Sequence, residues 1–237
     1  MGDNIRTWQA KLLAWVHDPA EKALVLMSGK GHEKGTVEAL KRTLFPHVIP
    51  RDLAVAVKKA DIWAAAADRL AFPRATPFQV SFHKAPVLVH PLSGDQLNIR
   101  EFFDIHPEHM EAVSFDHFSS FIVKQGDQVD WRKTFLSFWR FGPESPAKEL
   151  GHLWNLLPAD TRVPDHTIWT HLDLTSAFAG AFVEDTDHTP ALLIVSMGPV
   201  QGFINQARST SDLWASSHLL SHLCWIAIKV LLSLIHI

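Results

Sequence analysis

The chain has no tyrosine and a single cysteine, Cys224. Its aromatic surface therefore comes from phenylalanine and tryptophan alone. One thiol cannot form a disulfide within the chain, nor can it supply a four-cysteine zinc site. A reducing cytosol is the natural compartment, so a cytoplasmic protein is expected. Excess positive charge is missing too. Lysine and arginine number 22 against 25 acidic residues, a formal net charge of −3. There is no global basic field for nucleic acid, so any such binding has to use a local patch or a partner subunit. Met1 to Thr7 is polar and charged, so no secretory signal is expected.

What is present fits a folded protein. Apolar residues make up 47% of 237 and charged residues 20%, a globular balance with room for one large domain or one and a half smaller ones. Histidine is the outlier, with 15 copies. One metal site needs only a few, so a lone histidine says little. The informative ones stand beside carboxylates.

The doublet His17-Asp18 is such a place. It ends an apolar helical run, Trp8 to Val16, and is followed by Pro19 and Lys22. Neutral imidazole and ionised carboxylate both bind divalent transition metals, and a carboxylate can bridge two. Alone, the doublet is better read as a helix-end pair hydrogen-bonded to backbone. Asp61, Asp68-Arg69 and His171 fit the same kind of metal site and give it weight.

Residues 4–16 read as an amphipathic helix, in which Ile5, Trp8, Leu12, Leu13 and Trp15-Val16 recur near helical spacing. Ala23 to Met27 is apolar and Ser28 to Gly31 a loop. Glu33 to Leu44 reads as a helix ending before Pro46. The alanine-rich stretch 52–71 is the clearest helix, with Val57, Ala60, Ala64 and Ala67 as a small-residue face. Asp61 and Asp68, seven residues apart, share one side of it. Pro73 and Pro77 end it. Residues 78–150 are less regular. Val87 to Val89 reads as a short strand before the turn Pro91-Leu92-Ser93-Gly94. Trp131 to Phe141 reads as a helix whose aromatics, Trp131, Phe135, Phe138 and Trp139, belong to a core rather than to a base-stacking platform.

Two further helices are expected over 147–157 and 166–183, the second with Leu172, Thr175, Ser176 and Ala179 as a packing face. Glu184 to Pro190 reads as a linker, Ala191 to Met197 as a buried strand, and Val200 to Arg208 as a helix. Leu219 to Ile237 is apolar but contains Ser221, His222 and Lys229. A buried helix of an α/β domain is favoured over a membrane span, and no membrane partner is expected. The chain stops inside that apolar stretch without a cap or polar tail, the expectation for a truncated gene product with a non-native extreme end.

Several stretches, in order, carry a family resemblance: LAWVHDPAEKALVL (Leu13 to Leu26), Gly31-His32-Glu33, ADIWAAAADR (Ala60 to Arg69), HPLSG (His90 to Gly94), LPADTRVPDHTIWTHLDLTS (Leu157 to Ser176) and MGPVQGFINQARSTSDLW (Met197 to Trp214). Together they resemble the N-terminal part of the large subunit of type III CRISPR effector complexes, Cmr (III-B) subtype. The resemblance implies a mainly α, HD-type, circularly permuted helical domain with an insertion, followed by the start of an α/β ferredoxin-like palm domain. Its division would be 1–77 for the first HD part, 78–150 for the insertion, 151–187 for the second HD part and 190–237 for the truncated start of the first palm.

By the same resemblance, His17, Asp18, Asp61 and His171 map to metal ligands, with His17 and Asp18 catalytic. Asp68 and His32 map to near neighbours or additional ligands, and His166 is a further candidate. The metal would be Mn, Co, Ni or Fe. The implied activity is cleavage of single-stranded DNA, switched on when the assembled complex pairs its guide RNA with target RNA. The implied partners are the other III-B subunits, those RNAs and single-stranded DNA. The family's second palm makes cyclic oligoadenylate from ATP through a Gly-Gly-Asp-Asp motif. That motif is absent here, so ATP chemistry is expected only of the intact protein. Gln201 and Arg208 are candidate nucleotide contacts beside the Gly198-Pro199 turn, against the plainer reading of a strand-to-helix turn. Family members commonly carry an acidic residue before the downstream histidine. Thr170 stands there instead, which leaves the ligand but removes an outer-shell partner.

Other functional readings stay open at this level. The domain could be an inactive scaffold docking guide-RNA-bound subunits, or an HD phosphohydrolase acting on small nucleotides. Lys22 has a modest ion pair with Asp18 as its plainer role and a phosphate contact as its sharper one. Arg69 is expected to pair with an acidic neighbour. Asp165-His166 reads equally as a helix cap and as catalytic. Asp160 and Arg162 form either a structural turn or a subunit contact.

Overall fold

The computed structural model describes residues 4–29, 31, 34–68, 82–146, 150–184, 189–191, 193–196 and 198–234. These fall into two units, Met1–Pro190 and Ala191–Ile237. The first holds helices α1 (Ile5–Trp15), α2 (Lys22–Met27), α3 (Thr36–Leu44), α4 (Arg51–Asp68), α5 (Pro107–Ser120), α6 (Trp131–Phe141) and α7 (Ile168–Glu184). Two antiparallel hairpins interrupt them: β1 (Val87–Val89) with β2 (Gln96–Asn98), and β3 (Lys124–Gln125) with β4 (Gln128–Val129).

α1 is the centre of the unit. Asn4 starts it by accepting a hydrogen bond from the Arg6 backbone N–H, which satisfies one of the orphan donors of the first turn. The sequence suggests one apolar face, yet the structure buries two. Leu12, Trp15 and Val16 enter a large core with Phe135 and Phe138 of α6, Trp154 and Leu172. Ala10, Leu13 and Ala14 enter a smaller core with Leu53, Val57, Ala60 and Ala64 of α4 and Phe178, Ala179 and Phe182 of α7. Each triplet has helical i, i+3, i+4 spacing. α4 and α7 cover one triplet and α6 the other. Gly180 lets α7 come close: a Cβ there would stand 2.8 Å from Lys11 Cε.

α6 is capped by Asp130, whose carboxylate accepts from the Lys133 backbone N–H at 3.0 Å. Its expected aromatic face divides. Phe135 and Phe138 are core, while Trp139 is 49% exposed.

Other elements depart from expectation at their ends. α3 begins at Thr36 and α4 ends at Asp68; Glu33, the expected start of the first, and Arg69, Pro73 and Pro77 lie outside the described residues. A 3-10 helix, Gly151–Leu156, stands where a helix over 147–157 is expected, and 147–149 are not among the described residues. α5 lies in the stretch read as irregular. Pro107 occupies its first turn, where a missing N–H is harmless.

The second unit holds α8 (Val200–Ile204) and α9 (Thr210–Leu234). The expected strand from Ala191 to Met197 does not form among its described residues, and Leu193 and Ile194 are exposed. A strand needs a partner for its backbone N–H and C=O groups, and the described residues of this unit supply none. α8 stops at Ile204, short of Arg208. The described part of the apolar end expected to be a buried helix belongs to α9, with Leu219, Leu223 and Trp225 exposed. No described helix is long and apolar enough to cross a membrane.

Candidate metal centre

Three helices of the first unit bring their ligands to one place. His17 and Asp18 follow the C-terminus of α1, Asp61 lies on α4, and His171 lies in the first turn of α7. One ligand atom from each of the four lies within 4.8 Å of all the others. His17 Nε2 is 3.4 Å from Asp18 Oδ2 and 3.5 Å from Asp61 Oδ1. His171 Nε2 is 3.7 Å from Asp18 Oδ2 and 3.3 Å from Asp61 Oδ1.

Local structure turns these atoms inward. The Nδ1 side of His17 is taken by the Ala14 carbonyl at 2.5 Å. With Nδ1–H donating there, Nε2 is left as a lone-pair donor facing the carboxylates. That Nε2 is buried and has no hydrogen bond of normal geometry. His171 is held by the buried face of α7, where Thr175 Oγ1 donates to the His171 carbonyl at 2.8 Å. Two imidazoles and two carboxylates form a mixed nitrogen-oxygen set suited to Mn, Fe, Co or Ni. A buried imidazole nitrogen aimed at two carboxylates fits such an ion.

Charge is concentrated at Asp18. Lys22, one turn on, donates from Nζ to Asp18 Oδ2 at 2.6 Å. The adjacent imidazoles of His17 and then His171 hold Asp61 well below the usual carboxylate range, against the opposing cost of burial. Among the described residues, the site is open at Asp61. The Asp61 side chain is 42% exposed, against 12% for His17, 5% for Asp18 and 6% for His171.

The remaining candidates scatter. His166 is beside the group but not among the four; its ring lies 6.4 Å from that of His171, and its Nδ1 is 2.6 Å from Asp165 Oδ1. Asp68 is the last residue of α4, with its side chain outside the described residues, and His32 lies outside them too. Thr170 is exposed. Asp160 and Arg162 form a turn, with Nη2 of Arg162 2.9 Å from Oδ2 of Asp160. In the second unit Gln201 is exposed on α8. The Arg208 guanidinium stands 3.6 Å from Asp212. One residue escaped the sequence reading: Glu21, fully buried three positions after Asp18. The only signal was an acidic residue enclosed by Ala20, Ala23 and Leu24.

A family model described as CRISPR-associated protein Cmr2, N-terminal, matches residues 192–235. The CRISPR system Cmr subunit Cmr2 of Pyrococcus furiosus is 30% identical over 271 aligned residues, which cover 93% of this chain and 29% of that protein. The corresponding subunit of Saccharolobus solfataricus is 40% identical over 72 residues, 30% of this chain and 7% of that protein. The chain thus spans less than a third of the length of these curated relatives. No solved structure matches it.

Proposed function

Since the chain belongs to the Cmr2 large-subunit family of type III-B CRISPR complexes, we propose that its first unit is an HD-type, metal-dependent phosphodiesterase that cleaves single-stranded DNA. The observation that carries this reading is the convergence of His17, Asp18, Asp61 and His171 from three separate helices within 4.8 Å. His17 and His171 would hold the ion through Nε2, Asp18 and Asp61 through carboxylate oxygens. A bound divalent transition metal would supply a water of lowered pKa and neutralise phosphate charge.

The chain's own groups do the rest. The Ala14 carbonyl fixes the His17 ring. Lys22 orients Asp18 and presents an ammonium to a phosphate oxygen at the rim. The open flank at Asp61 is the side on which a strand approaches. In this reading the other Cmr subunits and the paired guide and target RNAs are the partners that control access.

The test uses the purified protein, labelled single-stranded DNA and Mn2+, beside a His17→Ala/Asp18→Ala variant. Cleavage should fall at least roughly 100-fold in the variant, as expected when a metal centre is dismantled. Equal cleavage by the two proteins overturns the reading. Metal content measured on the same preparations separates an enzyme from a scaffold, which would hold none in stoichiometric amount.

A further inference from the structure

Glu21 is 0% exposed. Burying a carboxylate without a cation is costly, and a buried acid ordinarily stays neutral instead. Among the described residues, the charged groups around it offer no compensation. On its own turn, Lys22 is engaged by Asp18 at 2.6 Å. From α5, Glu111 brings a like charge. α3 contributes the hydroxyl of Thr36, and α5 that of Ser114.

The hydrogen count at Thr36 is decisive. Its Oγ1 contacts both Glu21 Oε1 and the Glu111 carbonyl, the latter at 3.1 Å. A hydroxyl has one hydrogen to give. Both contacts are hydrogen bonds only if Glu21 supplies the proton of the first. On the other side of the carboxyl, Glu21 Oε2 and Ser114 Oγ are both buried without a hydrogen bond of normal geometry.

We propose that Glu21 is a positioning residue that works as a neutral carboxylic acid. It donates to Thr36, Thr36 donates to the Glu111 carbonyl, and this chain ties the turn bearing His17 and Asp18 to α3 and α5. Its consequence for metal affinity rests on the metal-centre reading above; its consequence for stability does not. The direction of titration agrees. Burial, the largest cause, pushes the Glu21 carboxyl from 4.5 up to about 7, and the like charge of Glu111 adds to the rise. Between those two values the folded protein holds more protons than the unfolded chain, so stability falls as pH rises and levels off above the folded value.

The test compares the full chain with Glu21→Gln and Glu21→Ala. Glutamine donates from its amide at every pH. The wild-type unfolding midpoint should therefore drop relative to Glu21→Gln between pH 5 and pH 8, by roughly 5 °C or more. Parallel pH curves for the two proteins overturn the proposal. Titrated with Mn2+, Glu21→Gln should bind like wild type and Glu21→Ala roughly tenfold more weakly, the scale of an outer-shell loss. Wild-type affinity in Glu21→Ala also overturns it. If Glu21→Ala does not fold, Glu21→Asp, one methylene too short to reach, gives the same reading. If wild type takes no Mn2+, the metal-centre reading fails, while the pH curves still decide whether Glu21 is neutral.

Discussion

Lys22 Nζ lies 2.6 Å from Asp18 Oδ2, and both side chains are largely buried, 18% and 5% exposed. The ammonium neutralises part of a carboxylate pair that a dication would neutralise more fully. Replacing Lys22 with Met removes that charge while keeping the stem. The metal-free protein should lose about 1–3 kcal/mol, the scale of a hydrogen bond lost to a buried charged group. Saturating Mn2+ should narrow the gap, because an ion that binds the folded state takes over the compensation. Thermal unfolding with and without Mn2+ reads both numbers, and a gap unchanged by metal would rule out shared compensation. Asp61 behaves differently because 42% of its side chain meets solvent. Asp61→Asn should cost little stability, within about 1 kcal/mol, yet weaken Mn2+ binding at least tenfold through loss of an anionic ligand. Calorimetric titration beside a melting curve separates these effects; equal affinity would remove Asp61 from the ligand set.

Among the elements, α4 and α7 carry Asp61 and His171, the end of α1 leads directly into His17-Asp18, and all three helices were legible in the sequence. Each is long, alanine-rich or apolar, with a clear period. α5 was not legible. Its buried Met110 and Phe118 and its half-buried Val113 and Phe115 do not sit on one clean stripe. Its position is fixed by tertiary contacts with α3. Glu21 was missed for the same reason, since only the packing of α3 and α5 makes its surroundings dry. The join of α3 and α5 turns on Gly35, which precedes α3 with φ 64° and ψ −124°. A side chain is strained there, and a Cβ would stand 3.2 Å from the Glu111 carboxylate. Gly35→Ala should therefore cost about 1–3 kcal/mol. For a chain of this size that lowers the unfolding midpoint by roughly 2–4 °C per kcal/mol. An unchanged midpoint would mean that α3 reforms its start without that backbone conformation.

At the scale of the molecule, the two units differ in what they bury. The four ligands and both apolar cores lie in Met1–Pro190. In Ala191–Ile237, Leu213, Trp214, Leu219, Leu223, Trp225 and Ile226 are all exposed. Sequence reading placed a strand before α8 because Ala191 to Met197 is apolar. Apolar residues suit a buried strand only where a neighbouring strand completes the ladder. Exposed apolar surface on this scale favours association. A chain ending at Pro190 should keep its Mn2+ affinity within about twofold, since it keeps every ligand and the residues that orient them. The full chain should associate with rising concentration in sedimentation velocity, and the shortened chain should remain monomeric. Loss of metal binding on shortening would show that the second unit is needed to form the site. Equal association of both proteins would place the sticky surface on the first unit, where Val48, Ile62, Leu92 and Trp139 are among the exposed apolar residues.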